Sequence, residues 1–384
     1  MSCLSTRGPD LPHHTNMTAT VRSNPTVNPA ENPPANPAAT AHEGFWRRLR
    51  RRLLTVPLVF AVTILFVATL PLLLLVAGLI DLLRGLLRGR LVLCRGLLFF
   101  VTFLLLESVA IGGVTLLWFV HLMLRDEAFF VRANRAAQTW WSTALYRSGE
   151  YFFSLRTHIE GSLPPQDPEA RKVPPLLVFV RHSSTADTVL PVVLLATRGY
   201  RLRYVLKREL LLDPCLDIVG QRLRNYFVAR GGKETDQDLH GIDALAADLG
   251  SGDALVIYPE GTRFTAAKRA RILTRLREQG PADTLALADS LTQTLPPLQR
   301  GPLRLLERNR AADLLLIGHV GLDAAGSLGE LLQGELVNQD VRIHIERIPF
   351  AELPQDPLAQ RQLLADKWRQ IDAFIARHKS RPAH

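Results

Sequence analysis

Two short stretches of this chain hold the residue types that do chemistry. In FVRHSSTAD, residues 179–187, an apolar run ends at His182, small polar residues follow, and one carboxylate, Asp187, comes five positions later. A neutral imidazole titrates near neutrality and can take a proton from an alcohol. A carboxylate bonded to its other nitrogen fixes the tautomer and stabilises the imidazolium that forms. On one continuous helix, side chains five positions apart point about 140° away from each other, so the pair meets only if His182 precedes the helix. The spacing also has a plainer reading. Ser184 and Asp187 fit a capping box, with the serine as cap and the acid complementing the helix dipole. Both readings can hold at once, because an acid fixed in a first helical turn suits a group that must hold an imidazole. No G-x-S-x-G turn occurs in the chain, and Ser183 and Ser184 lie too close in sequence to supply a nucleophile. A base without an enzymic nucleophile implies that a hydroxyl of the substrate attacks.

The second stretch is VIYPEGTRF, residues 256–264. Pro259, Glu260 and Gly261 make a turn, and Thr262 and Arg263 offer donors suited to phosphate. Alone, such a turn is a common structural device. Its position about seventy residues after the histidine and aspartate gives it chemical meaning.

The elements that must position these residues are of α/β type. From about residue 173, the apolar runs LLVFV, RYVLK, YFVA, ALVIYP, DLLLIGHV and VRIHIERI read as strands separated by longer mixed segments. The first run delivers His182 to the carboxyl end of a strand, where open α/β sheets place their ligands. Leu364, Trp368, Ile371 and Ile375 recur at helical spacing and predict a final amphipathic helix packed on the sheet. The expected architecture is a mixed central sheet flanked by helices, preceded by an N-terminal membrane helical hairpin.

Three domains follow: a tail over 1–44, a hydrophobic anchoring segment over 45–135 and a catalytic domain over 136–384. The tail carries Asn24, Asn28, Asn32 and Asn36, each followed by proline, and reads as disordered. After FWRRLRRRLL comes an uncharged run from Leu53 to Ile80, roughly 42 Å as a helix against a bilayer core of about 30 Å. Pro71 is a potential kink or break. A second apolar stretch, from about Gly96 to Val120, is interrupted by Glu107. That carboxylate must be neutral or face a partner, or else the pair dips into one leaflet. Arginines before the first run and after the second favour a hairpin with both ends cytoplasmic. Arg84, Arg88, Arg90 and Arg95 between them would resist crossing, which raises the leaflet-dipping alternative.

The chain has 384 residues, 47% hydrophobic, and a net charge of +10, so an anionic partner is expected. The arginines cluster beside apolar segments and no nucleic-acid motif occurs, which removes nucleic acid as that partner. Three dispersed cysteines give neither a disulfide framework nor a thiolate metal site, and no His/Cys ligand cluster occurs.

With these blocks in view, the sequence resembles the glycerolipid acyltransferase family, in particular the 1-acylglycerol-3-phosphate acyltransferases. His182 and Asp187 match its H-x-x-x-x-D block. YPEGTR matches its F-P-E-G-T-R block, with Tyr258 for the phenylalanine. NYFVAR, ending in Arg230, falls where a phosphate-binding arginine closes the second block, and LPPLQRG falls at the fourth. The segment after the glutamate block resembles the basic helix of eukaryotic-type members. The likeness covers about residues 173–348. Three departures stand out: Arg181 where asparagine often precedes the histidine, no Gly-Ile pattern in the second block, and Leu298 at the arginine of the fourth.

The resemblance implies acyl transfer from a thioester, acyl-CoA or acyl carrier protein, to the free hydroxyl of a lysophospholipid at a membrane. The expected acceptor is 1-acylglycerol 3-phosphate, giving phosphatidic acid, with no metal or resident cofactor and the catalytic domain on the cytoplasmic face. His182 would take the proton and Asp187 would orient it. Arg263 and Arg230 would hold the acceptor phosphate, Glu260 would orient its neighbours, and donors near Gly261 and Thr262 would meet the acceptor or the developing oxyanion. Glycerol 3-phosphate or a lyso-aminolipid is the alternative acceptor. A catalytically silent lipid-binding membrane protein is the alternative class, although such a chain could lose His182 without harm.

Overall fold

The structure, a computed structural model, describes residues 43–88, 92–228, 235–325 and 333–379. Most of the tail expected over 1–44 and Arg230 therefore lie outside the described residues, as does Arg90. Three long helices come first: α1 (Phe45–Arg88), α2 (Leu93–Leu124) and α3 (Glu127–Phe153). Pro57 and Pro71 both sit inside α1, which runs past them as one helix. By length and composition, α1 and α2 are apolar enough to cross a membrane.

The strands are β1 (Arg156–Gly161), β2 (Leu176–Val180), β3 (Arg201–Lys207), β4 (Tyr226–Val228), β5 (Asp253–Ile257), β6 (Asp313–Val320) and β7 (Asp340–Ile348). They form one sheet in the order β1-β7-β6-β2-β5-β3-β4. The block from β6 to β4 is parallel, β7 runs antiparallel to β6, and β1 pairs parallel with β7. All six strands expected from the sequence form. β1 was not anticipated, because RTHIEG holds a single large apolar residue and lies at an exposed edge.

Between the strands lie α4 (Leu190–Leu195), α5 (Pro214–Arg222), α6 (Asp236–Ala246), α7 (Ala266–Gln279), α8 (Ala282–Ser290) and α9 (Arg300–Arg308), and α10 (Pro357–Lys379) closes the fold. Strands β2, β5 and β6 are buried along their whole length, as parallel strands covered on both faces must be. Leu176, Val178 and Val180 of β2 pack with Leu190 and Leu195 of α4 and Tyr146 of α3. Leu177 and Phe179 face the opposite layer, with Leu245, Leu305, Trp368 and Ile371. The period-2 alternation thus feeds two cores from one continuous apolar run. Leu364, Trp368, Ile371 and Ile375 of α10 are all buried there, as their spacing predicts.

The long helices pack on this domain. A third core joins Ala110, Ile111 and Val114 of α2 to Val131 and Trp141 of α3 and to Cys215, Ile218 and Val219 of α5. Glu107 has its partner here: its carboxylate accepts the Cys215 amide at 2.8 Å, in the first turn of α5. Buried Asp217 of α5 accepts Arg51 Nη2 at 2.8 Å and Arg52 Nε at 3.0 Å.

Candidate active site

The carboxyl ends of the parallel strands β2, β5, β6 and β3 converge on one region. The chain leaves β2 at Arg181, whose amide continues the sheet by donating to Ile317 O at 3.0 Å. His182 follows on a turn rather than a helix, and a short 3-10 helix, Ala186–Val189, begins only afterwards. The turn brings His182 Nδ1 to 3.0 Å from Asp187 Oδ1. The other oxygen, Oδ2, accepts the amides of Ser183 at 2.6 Å and Ser184 at 2.8 Å.

Only half of the expected capping box forms. Asp187 receives the Ser184 amide, but the Ser184 hydroxyl has no hydrogen-bond partner and the helix that follows has no side-chain cap. The physical reason is local. Both carboxylate oxygens are committed backward to the turn, which holds the segment in a tight 3-10 geometry. Burial acts to raise the Asp187 pKa, but the hydrogen bonds and charge of His182 and His319 outweigh it, and the carboxyl lies well below its usual range.

The two sequence blocks are stitched together through the backbone. The His182 amide donates to Glu260 Oε1 at 3.0 Å, and the Phe264 amide donates to His182 O at 2.9 Å. Glu260 is buried, and its Oε2 accepts the Leu295 amide at 2.9 Å. Its carboxyl therefore ties the His182 turn, the β5 exit and the loop ahead of α9 into one unit. Burial pushes the Glu260 pKa up to about 8, against the pull of the Arg181 guanidinium and the two amides. Gly261 holds φ +65°, the left-handed region that favours glycine. A Cβ there would sit 2.6 Å from Leu298 Cδ1. The Leu298 amide also donates to Pro259 O at 2.8 Å, so the fourth-block segment packs directly on the glutamate turn.

His182 opens onto a cavity of about 1150 Å³. Gly261, Thr262 and Arg263 line it, as do Lys207, Lys268 and Arg271. Arg263 Nη1 reaches Thr185 Oγ1 at 3.2 Å. Lys268 Nζ donates to Thr262 Oγ1 at 2.9 Å and to Arg263 O at 3.0 Å. Burial first, and neighbouring cations after it, lower the pKa of Lys207 and of Lys268. Ile242, Ile257 and Leu305 add apolar lining.

Of the residues singled out in the sequence, His182, Asp187, Glu260, Gly261, Thr262 and Arg263 come together at this site. Glu260 stands behind the wall and holds backbone. The Gly261 amide is already engaged by Tyr258 O at 2.9 Å. Lys268, Arg271 and Arg275 of the basic helix α7 line the cavity, while Arg269 folds onto Leu291 O.

Four residues were not foreseen. Lys207 ends β3 beside the site, and a lysine closing a strand next to two loaded turns was the available signal. Arg51 reaches the cavity from α1, from a part of the chain that local patterning treats as anchor. His319 is fully buried on β6, its Nε2 at 3.0 Å from Arg181 O and 3.5 Å from Asp187 Oδ2. A histidine within the otherwise apolar run LLLIGHV was its signal. The fourth is Asp323, the counter-ion of Arg181. Arg181 is fully buried, its Nη2 at 2.6 Å from Asp323 Oδ1 and its Nη1 at 2.8 Å from His319 O. It braces the β2 and β6 exits from below and does not line the cavity.

Residues 165–284 match the family model described as Acyltransferase. That range takes in both motif turns and most of the cavity lining. No curated protein matches the chain.

Proposed function

We propose, from the acyltransferase match together with the cavity chemistry, that the chain transfers a fatty acyl group from a thioester to the hydroxyl of a lysophospholipid, 1-acylglycerol 3-phosphate, and so makes phosphatidic acid. The observation that carries this reading is the His182–Asp187 pair at 3.0 Å, with His182 lining a cavity that also takes in cationic and apolar side chains. With Nδ1 held by Asp187, Nε2 is the nitrogen left for proton transfer. It takes the proton of the acceptor hydroxyl, whose oxygen attacks the thioester carbonyl. The tetrahedral intermediate expels the thiolate as the C–S bond breaks, and the imidazolium returns its proton to the sulfur.

The acceptor phosphate fits the wall of Lys207, Arg263 and Lys268, where cations crowd one another. Acyl chains fit the apolar lining. Thr262 supplies donors near the reacting carbonyl. The thioester is carried by coenzyme A or by acyl carrier protein. The chain acts at a membrane, with the catalytic domain on the cytoplasmic face. The supports for this are the two long apolar helices and the arginines around them.

The test is labelled acyl transfer from acyl-CoA to 1-acylglycerol 3-phosphate in membranes bearing wild type or His182→Ala. Wild-type turnover that the variant loses at equal protein level supports the reading, and turnover that survives in the variant refutes the base. Acceptors without a phosphate, such as a lyso-aminolipid, should react poorly if the cationic lining binds phosphate. Glycerol 3-phosphate tests whether the acceptor must already carry a chain.

A further inference from the structure

In β6, from Leu314 to Val320, every residue but His319 is apolar or glycine, and His319 is fully buried. It points to the same side of the sheet as Leu315 and Ile317, the layer of α4, into which the 3-10 turn carrying Asp187 leads. A leucine there would fill the core equally well, so what the histidine adds is its ring nitrogens. Nε2 lies 3.0 Å from Arg181 O and 3.5 Å from Asp187 Oδ2. A carbonyl only accepts, so the ring proton is on Nε2. Nδ1 is buried with no hydrogen-bond partner among the described residues, and a second ring proton there would lack an acceptor.

Both contacts fall on the turn that makes the His182–Asp187 pair. The peptide joining Arg181 to His182 is clamped at each end, its C=O by His319 Nε2 and its N–H by Glu260 Oε1 at 3.0 Å. On Asp187, Oδ2 takes the Ser183 and Ser184 amides and also faces the His319 N–H, whereas Oδ1 is turned to His182. The 3.5 Å contact is the longer and weaker arm of that N–H, but it adds a third positive dipole end at Oδ2. Dipoles gathered there draw carboxylate charge away from the oxygen that meets His182. The charged groups facing the His319 ring are Asp187 from the turn after β2, Arg181 from the β2 exit and Asp323 from the 3-10 turn after β6. Lys379 of α10 stands behind Asp323 at 3.1 Å.

We propose that His319 is a positioning residue of the reaction: it clamps the peptide that carries His182 and holds Asp187 with Oδ1 turned to the imidazole. The proposal rests on the reading of His182 as the base. His319 touches no substrate, and its effect reaches the reaction through His182. Two consequences separate this role from core filling. Without the His319 N–H, more of the carboxylate charge sits on Oδ1 and favours the imidazolium, so His182 keeps its proton to higher pH. The turn also gains freedom, and a displaced base slows the chemical step without changing how tightly the acceptor binds.

The test compares, in the full chain, His319→Gln, whose amide keeps a donor near the position of Nε2, with His319→Phe and His319→Leu, which fill space without one. Diethylpyrocarbonate modifies neutral imidazoles, and His182 is open to the cavity while His319 is fully buried. The rate of modification of the His182 peptide, read by mass spectrometry across pH, follows the ring's titration. In the two donor-free variants its midpoint should rise by about half a pH unit, and in the glutamine variant it should stay near wild type. In the same two variants kcat for acyl transfer should fall about 10- to 100-fold with KM for the acceptor little changed, and glutamine should recover most of the loss. A midpoint that stays or falls in the donor-free variants, or moves equally in all three, overturns the proposal. So does failure of both donor-free variants to fold, which would make the residue structural. Modification needs no turnover. An inactive wild type therefore defeats the acyl-transfer reading and leaves the clamp on His182 to be judged by the midpoint, whereas an unmoved midpoint in an active enzyme defeats the positioning role alone.

Discussion

The substitution Asp187→Asn isolates what the carboxylate does beyond filling space. Oδ2 accepts two backbone amides, at 2.6 and 2.8 Å, so the asparagine carbonyl must take that position to avoid setting a donor against two donors. Its NH2 group then points at His182 Nδ1, 3.0 Å away in the wild type. Facing a donor, Nδ1 must become the acceptor, and the ring proton moves to Nε2. The nitrogen that should accept a proton then already carries one. An inverted tautomer of this kind lowers turnover by about 10⁴-fold, close to 5 kcal/mol in the barrier.

Folding should survive, because the amide contacts are kept. The depressed Asp187 pKa contributes stability that is present above the unfolded value, about 3.9, and lost as pH falls toward the folded one. The stability gap between wild type and Asp187→Asn should therefore be flat above about pH 5 and should close in acid. Labelled acyl transfer and thermal unfolding across pH measure the two effects. A folded asparagine variant within about tenfold of wild-type turnover would refute the tautomer argument.

Three further expectations follow from single contacts. Because the folded Glu260 pKa is raised to about 8 from an ordinary value near 4.3, the fold holds an extra proton between those values and loses stability as pH rises through them. Glu260→Gln should flatten that decline in thermal melts from pH 5 to 8. Gly261→Ala meets both φ +65° and the Leu298 side chain and should cost about 1–3 kcal/mol, with Leu298→Ala recovering the steric part but not the backbone part. If the double variant is no more stable than the single one, the contact is not the cause. Asp217→Ala strips two arginines of their shared acceptor. Since both keep some contact with water, the loss should be about 1–3 kcal/mol in chemical denaturation, and a shift below about 0.5 kcal/mol would count against the clasp.

How much of this was legible in the sequence depends on how far apart the interacting residues lie. The parallel core strands announce themselves because burial on both faces forces continuous apolar runs. β1 escapes because an edge strand needs only backbone partners, and its side chains can remain polar. His182 and Asp187 could be paired from spacing, since a turn brings near neighbours together. The capping role of Ser184 could not be judged, because the choice between an α-helical and a 3-10 start depends on where the carboxylate is pulled. Arg181 looks on paper like a surface cation beside a site. It becomes a buried brace only because Asp323 arrives from the 3-10 turn that follows β6, 142 positions later. Glu107 presents the same problem in an apolar segment. Its partner, the Cys215 amide, is 108 positions away, and no local pattern records it.

The clasp between Arg51 and Asp217 also bears on how the protein can be made. The two residues are 166 positions apart, and Arg51 forms part of the cavity wall. That wall is therefore completed only after the leading helix, synthesised early, has waited for α5 to emerge and fold against it. Loop closure over such a distance is slow. During the wait, α1 carries a long apolar surface that water cannot accommodate and a bilayer can. Trimming the chain back to α3 in search of a soluble catalytic piece would remove Arg51 from the cavity lining, expose Ile218 and Val219, and leave the Asp217 carboxylate without its cations. Helix α1 is thus part of the folded domain, and a preparation lacking it would be a different, incomplete molecule.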